Sequence, residues 1–228
     1  KPQNNTFSSE KTGLFDEFVV QTPIKPDPSR LNSEDLFKLH KISKKEVKPT
    51  QEVAPKSLLS DSCNVGSIAK SLIGAINLRD SYTGEHSQEV QKYATEFAKS
   101  LNLSQAEVEL VSLGSALHDI GKIGVPEAVL NKTSKLTDEE FEKIKQHPET
   151  GSRILENIPN FSGTVAQIVK HHHESWDGKG YPSGLAGNDI PLPARIVSIV
   201  DSFHAMVSDR PYRKGLPLEK AVGILKDG

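Results

Sequence analysis

From Ser62 onward the apolar residues recur every three or four positions, and nearly every one of these stripes carries or runs into a histidine or aspartate. That period belongs to amphipathic helices, and the polar ends on apolar faces are what most constrain the fold. Ile68, Leu72, Ile73 and Ile76 form the first stripe, which stops near Arg79-Asp80. His86, Val90, Tyr93, Phe97 and Leu101 form the second, so His86 is expected to point inward with its stripe. Ser104 with Glu107 is a capping box opening a third helix through Val108, Leu110, Val111, Leu113 and Leu117, apolar nearly all round and therefore central. It runs into His118-Asp119 and breaks at Gly121 and Gly124 before Pro126. Thr137-Asp138-Glu139-Glu140 repeats the box and opens a helix to His147, where Pro148 forces a boundary or a new start. Val165, Ile168 and Val169 lead into His172, and Pro193 suits the first turn of a last long helix carrying Ile196, Ile199, Val200, Phe203 and Val207. Strands are hard to find, so the expected class is all-α, a helical bundle.

The segment before this pattern reads differently. Residues 1 to about 60 hold six of the fourteen prolines and no sustained period, which points to a linker or to the end of an upstream regulatory region. The boundary is placed at 62, with 63–228 as the folded domain. Lys1 is not expected to be the natural start, since Met206 is the sole methionine. A net charge of -2 gives no basic footprint for DNA or RNA. No apolar run approaches the ~20 residues that span a bilayer, so no membrane segment is expected. Cys63 alone excludes an intrachain disulfide and a thiolate zinc cluster, favouring a cytoplasmic setting.

Seven of the eight histidines lie between His86 and His204, three of them consecutive at 171 to 173. An adjacent His-Asp pair is weak evidence alone, but His118-Asp119 ends a helix too apolar to leave it in water. A buried carboxylate without a partner costs several kcal/mol, so a cation or strong donor must sit beside Asp119. Asp201 invites the same reasoning, against the plainer reading of a solvated polar face. His86, His118, Asp119, His147, His172, His173 and Asp201 would supply seven N and O ligands. That is too many for one tetrahedral zinc and suits two hard-to-borderline divalent cations, Fe or Mn, bridged by a carboxylate, for which Asp119 is the natural choice. Consecutive helical residues cannot all aim one way, so two of the three histidines are taken as ligands and Glu174 as a residue bracing them. His40 reads as surface. The chain has no phosphate-binding loop of the G-x-x-x-x-G-K-[ST] type, no H-E-x-x-H, no G-x-S-x-G and no dinucleotide fingerprint after a strand.

The motifs His118-Asp119-Ile120-Gly121-Lys122 with Gly124 and Pro126, His172-His173-Glu174, and Asp177-Gly178-Lys179-Gly180-Tyr181-Pro182 resemble the HD-GYP phosphodiesterase domain. The likeness covers roughly residues 64 to 228 and extends to Arg79-Asp80-Ser81-Tyr82-Thr83, His86-Ser87 and Ser208-Asp209-Arg210-Pro211-Tyr212-Arg213. It implies hydrolysis of cyclic di-GMP to linear pGpG by a hydroxide between two metals, as the output module of a bacterial signalling protein with an upstream sensor. By position, it makes His86, His118, Asp119 and Asp201 ligands of one metal, and Asp119, His147, His172 and His173 ligands of the other. Lys122 would meet a non-bridging phosphate oxygen or help proton transfer. Arg210 and Arg213 match positions near the substrate phosphates, against a plainer role of holding the helix end. Tyr181 would lie at the site mouth for ligand contact or for a diguanylate cyclase (GGDEF) partner, or, with Trp176, simply pack the loop down.

The chain departs from the family pattern in places. Members with three metals carry Glu where Tyr82 stands, so two are expected. The family usually has Asp where His204 stands, one turn beyond Asp201, leaving His204 as a bracing donor or an added ligand. The family also continues with further helices beyond 228. A domain that binds cyclic di-GMP or a partner without turnover is the alternative from another class, and an HD hydrolase of another cyclic dinucleotide is the alternative within the enzymes.

Overall fold

The computed structural model describes residues 62–79, 81–209 and 214–227, and every regular element among them is helical. The expected upstream segment and His40 lie outside the described residues. The long helices are α1 (Ser62–Arg79), α2 (Ser81–Ser100), α3 (Gln105–Leu117) and α8 (Leu192–Val207). Between α3 and α8 come the short α4 (Glu127–Leu130), α5 (Asp138–Lys145), α6 (His147–Glu156) and α7 (Val165–His171), and α9 (Leu218–Asp227) closes the order. α8 is the last of the long helices, and the shorter α9 follows it and buries Ala221 and Val222 against the core. No helix among the described residues is long and apolar enough to cross a membrane.

Both capping boxes form. The Ser104 hydroxyl accepts from Glu107 N–H while the Glu107 carboxylate takes the Ser104 N–H, and Thr137 and Glu140 repeat the exchange. Each satisfies two of the donors that a helix start leaves orphaned. Gln146 ends α5 and precedes α6, whose first turn holds Pro148, so the chain turns at His147 as the proline requires.

α3 sits at the centre because it is apolar on two sides. Val108 and Val111 join Val90, Phe97, Val200, Phe203 and Met206 in one cluster with α2, α8 and α9. Leu110 and Leu117 face a second cluster of Val65, Ile76, Leu155, Phe161 and Val169, drawn mainly from α1, α6 and α7. A Cβ at Gly114 would meet the Ile168 side chain at 2.5 Å, so glycine lets α3 and α7 pack at close range. Phe97, Phe161 and Phe203 are fully enclosed, and truncating such a side chain costs about 3–5 kcal/mol. These clusters hold the C-terminal end of α3 against the middle of α8 and the ends of α6 and α7, where the histidines gather.

Candidate metal centre

α3 stops at His118, and a short 3-10 helix (Ile120–Gly124) carries the chain away. Gly121 makes the turn possible: a Cβ there would collide with the His147 carbonyl, so only glycine lets Asp119 lie alongside the start of α6. His118, Asp119, His147, His172, His86 and Asp201 are all buried.

Three of the rings are held alike. His118 Nδ1 donates to the Ser115 carbonyl at 2.7 Å, His147 Nδ1 to Ile144 at 2.8 Å and His172 Nδ1 to Val169 at 2.7 Å. A carbonyl can only accept, so each Nδ1 carries its proton and each Nε2 faces inward. The bond to the carbonyl three residues back fixes both tautomer and ring plane, as an outer partner does for a ligating histidine.

The inward atoms form one continuous chain. His86 Nε2 lies 2.8 Å from Asp201 Oδ1, and His118 Nε2 lies 4.0 Å from the same oxygen. Asp119 Oδ2 is 3.3 Å from His118 Nε2 and accepts from Lys122 Nζ at 2.8 Å, while its Oδ1 is 3.4 Å from His147 Nε2. His147 Nε2 and His172 Nε2 are 3.3 Å apart, and His173 packs on His172 with ring centroids at 4.1 Å. Two groups stand out, His86 with His118 and Asp119, and His147 with His172 and His173. Within each group, one ligand atom per residue lies within 4.8 Å of the others.

The electrostatics differ along this chain. Burial alone would lower His118, but Asp119 and then Asp201 outweigh it and raise its pKa to about 8. Burial opposes ionisation of Asp119 too, yet Lys122 and His118 hold it well below the usual carboxylate range. Asp201 is likewise held low, its burial overcome by His86 and then His118. On the other side, burial and then His173 press His147 down to about 3 and hold His172 well below its ordinary value. Burial takes His173 down to about 4.

His147 and His172 are therefore neutral at pH 7 with both Nδ1 protons committed outward, so two Nε2 lone pairs point at each other across 3.3 Å. Lone pairs so placed repel unless a cation lies between or beside them. His118 Nε2 is also buried without a hydrogen-bond partner, despite the nearby Asp119. Imidazole nitrogens and carboxylates without thiolate suit borderline divalent ions, so the residues fit a metal. The His and Asp groups could hold one.

All seven residues expected as ligands meet here. Of the consecutive histidines, His172 and His173 face the cluster, whereas His171 Nδ1 turns to Glu174 Oε1 at 3.4 Å. Glu174, expected to brace the ligands, does not bond their rings directly: its carboxylate accepts from Ser183 N–H at 2.7 Å and Leu185 N–H at 3.0 Å, both in the Gly-rich loop. His204 Nδ1 lies 2.9 Å from His86 Nδ1, and its Nε2 is 3.3 Å from the Ser208 hydroxyl, so it braces His86 from behind. Tyr181 stacks on His173 with centroids 4.9 Å apart and 27° between planes. Trp176 is half-exposed on the same loop, with the Arg195 guanidinium 5.7 Å from its ring. Arg210 and Arg213 lie outside the described residues, as do the side chains of Tyr82 and Glu85. The sequence reading missed the three carbonyl clamps, although a histidine directly after the last turn of a helix is placed to reach one.

A helical bundle that buries a cluster of imidazoles and carboxylates defines a class: a helical domain whose His and Asp groups could hold metal ions. The HD domain family model matches residues 70–228, and the chain belongs to that family. Within it the HD-GYP motifs place the chain with the HD-GYP proteins, in agreement with its relatives. It is 36% identical over 220 residues to the "Cyclic di-GMP phosphodiesterase response regulator RpfG" of Xanthomonas campestris pv. campestris (strain 8004), covering 94% of this chain and 57% of that protein. It is 36% identical over 152 residues to a "3'3'-cGAMP-specific phosphodiesterase" of Vibrio cholerae serotype O1, covering 67% of this chain and 33% of that protein. Among solved structures it resembles an HDG"Y"P protein from Bdellovibrio bacteriovorus, with a TM-score of 0.50 and 22% identity over 72% of this chain and 58% of that one, a likeness of fold. The chain spans 57% of the Xanthomonas relative's length and 33% of the Vibrio relative's.

Proposed function

We propose that this chain is a metal-dependent phosphodiesterase that hydrolyses cyclic di-GMP to linear pGpG. The observation that carries the proposal is the pair of neutral imidazoles, His147 and His172, whose Nε2 atoms face each other at 3.3 Å beside the Asp119 carboxylate. Two divalent cations, Fe or Mn, would supply polarisation of the phosphodiester and a water acidified enough to attack near neutral pH. His86, His118, Asp119 and Asp201 would hold one, and Asp119, His147, His172 and His173 the other. Asp119 suits the shared place because its Oδ2 faces His118 and its Oδ1 faces His147.

Lys122 keeps its ammonium at the edge of the cluster, 2.8 Å from Asp119 Oδ2 and partly exposed. There it can meet a non-bridging phosphate oxygen and hold the diester against the cluster, neutralising charge where it builds up. Tyr181, stacked on His173, places an aromatic face beside the cluster, where a guanine or a protein side chain can lie. Arg210 and Arg213 are assigned to the substrate phosphates on the family resemblance, guanidinium forks matching phosphate oxygens. Residues 1–62 are assigned as a linker from an upstream sensor, and the loop bearing Tyr181 as the contact for a diguanylate cyclase partner in the cytoplasm.

A second reading is favoured by the Vibrio relative, whose name specifies 3'3'-cGAMP. The metal chemistry would be the same and only the base contacts would differ. The test is anaerobic reconstitution with Fe(II) or Mn(II) and chromatography of products from cyclic di-GMP and 3'3'-cGAMP, beside an Asp119→Ala control. Metal-dependent pGpG from cyclic di-GMP supports the proposal. Turnover of 3'3'-cGAMP alone moves the substrate, and no turnover with metal bound makes the domain a binding module.

A further inference from the structure

Glu174 is a carboxylate buried to 0% side-chain exposure in a segment that belongs to no helix, and nothing in the chemistry above uses it. Its partners all lie outside the metal cluster: Ser183 N–H at 2.7 Å, Leu185 N–H at 3.0 Å and His171 Nδ1 at 3.4 Å. Two of these donors belong to the far limb of the Gly-rich loop, and the third is the histidine that does not face the cluster. The near limb is fastened independently. Tyr181 N–H donates to the His173 carbonyl at 3.1 Å, and a Cβ on Gly180 would strike Ser175 N, Glu174 Cα at 2.5 Å and the His173 carbonyl. The loop thus lies directly on the backbone that carries His173, and Tyr181 covers the His173 ring at 4.9 Å.

Unlike His118, His147 and His172, His173 is not among the rings held by a helix carbonyl three residues back; its ring is held by packing, against His172 at 4.1 Å, edge-on to His147 at 5.0 Å and under the Tyr181 stack at 4.9 Å. We infer that Glu174 is a positioning residue for the metal centre: by anchoring the Gly-rich loop through the Ser183 and Leu185 amides, it holds Tyr181 on His173 and so fixes the one ligand of its group that the helices leave unclamped. His171 then has a role in this scaffold, as a donor to Glu174, which accounts for the third histidine of the run. The inference rests on the proposed metal site and adds to it what sets the orientation of His173.

Glu174→Gln tests this, because an amide has one acceptor oxygen where the carboxylate offers two, and its NH2 would face a loop N–H. Hydrogen exchange on the metal-free protein reads the anchor, and calorimetric titration with Mn(II) reads the ligand. Faster exchange at the Ser183 and Leu185 amides, together with about a tenfold loss of affinity for one of two Mn(II) ions, is expected, the size usual for a residue that orients a ligand. The other ion's affinity should stay as in the wild type, which a general loss of folding would not produce. Gly180→Ala displaces the loop with Glu174 intact and should weaken the same ion, giving the answer should Glu174→Gln not fold. Faster loop exchange with unchanged affinity for both ions overturns the inference. A wild type that binds no Mn(II), even with its loop amides protected, overturns the metal reading itself, and the exchange data separate the two failures.

Discussion

His147 and His172 stand where helices begin or end, while His86 and Asp201 stand inside the long helices α2 and α8. At a helix boundary the ring folds back onto a carbonyl three residues earlier, so the local chain supplies the clamp. Inside a helix those carbonyls are already taken, and orientation must come from another side chain: His204 behind His86, and His86 against Asp201. The charge follows the same division. The His147 side is neutral imidazole, its pKa values pressed to about 3 and 4 at His147 and His173 by burial. The His118 side is a carboxylate-rich pocket that raises its histidine to about 8 despite burial. One half should take up a cation without displacing a proton, and the other must release one.

The most severe way to break this contrast is to remove what the halves share. Asp119→Ala should abolish tight binding on both sides and lower cyclic di-GMP hydrolysis by roughly 10^3-fold or more, since metals supply several kcal/mol of charge stabilisation. Product chromatography with metal analysis checks it, and loss confined to one ion would break the shared-carboxylate account. A change restricted to one half comes next. His204→Ala leaves His86 unbraced and should cost about tenfold to a hundredfold in affinity for one cation while sparing the other, read by Mn(II) titration.

The two halves should also titrate differently in the metal-free protein. His147 and His173 are lowered, so between about 4 and 6.5 the unfolded chain binds more protons than the native one, and stability rises with pH there. His118 is raised, so between 6.5 and about 8 the native state binds more protons, and this residue's contribution falls as pH increases. Urea titrations across pH 4 to 9 should show the rise, and His118→Gln should remove a falling component above 6.5 without altering the rise. The smallest effect separates scaffold from site. Thr137→Ala removes the cap of α5 and should cost about 1 kcal/mol in urea unfolding with metal content unchanged.

Much of this arrangement was legible from the residues. Ser104 with Glu107 and Thr137 with Glu140 announce helix starts because the reciprocal bonds need only those side chains at that spacing. The two-sided apolar character of Val108 to Leu117 placed α3 at the centre, and burial of its end made the His118-Asp119 pair a candidate cation site. Aim at a helix end was not legible: residues 171 to 173 cross from α7 into a turn, and whether a ring faces in depends on dihedrals that periodicity does not carry. The partners of Glu174 were not legible for the same reason, since they are loop amides nine and eleven residues on, fixed by the loop's path. α9 was passed over in the reading that ended the domain's long helices at Val207, although Leu218, Ala221, Val222 and Leu225 repeat at helical spacing.

Asp119 is proposed to join two unlike halves into one two-cation centre. Calorimetric titration of the metal-free protein with Mn(II), in buffers of different ionisation enthalpy at pH 7, tests it most directly. Two ions are expected, one bound with release of a proton and one without, and neither bound tightly by Asp119→Ala. A single ion in the wild type, or two ions retained by Asp119→Ala, would contradict it.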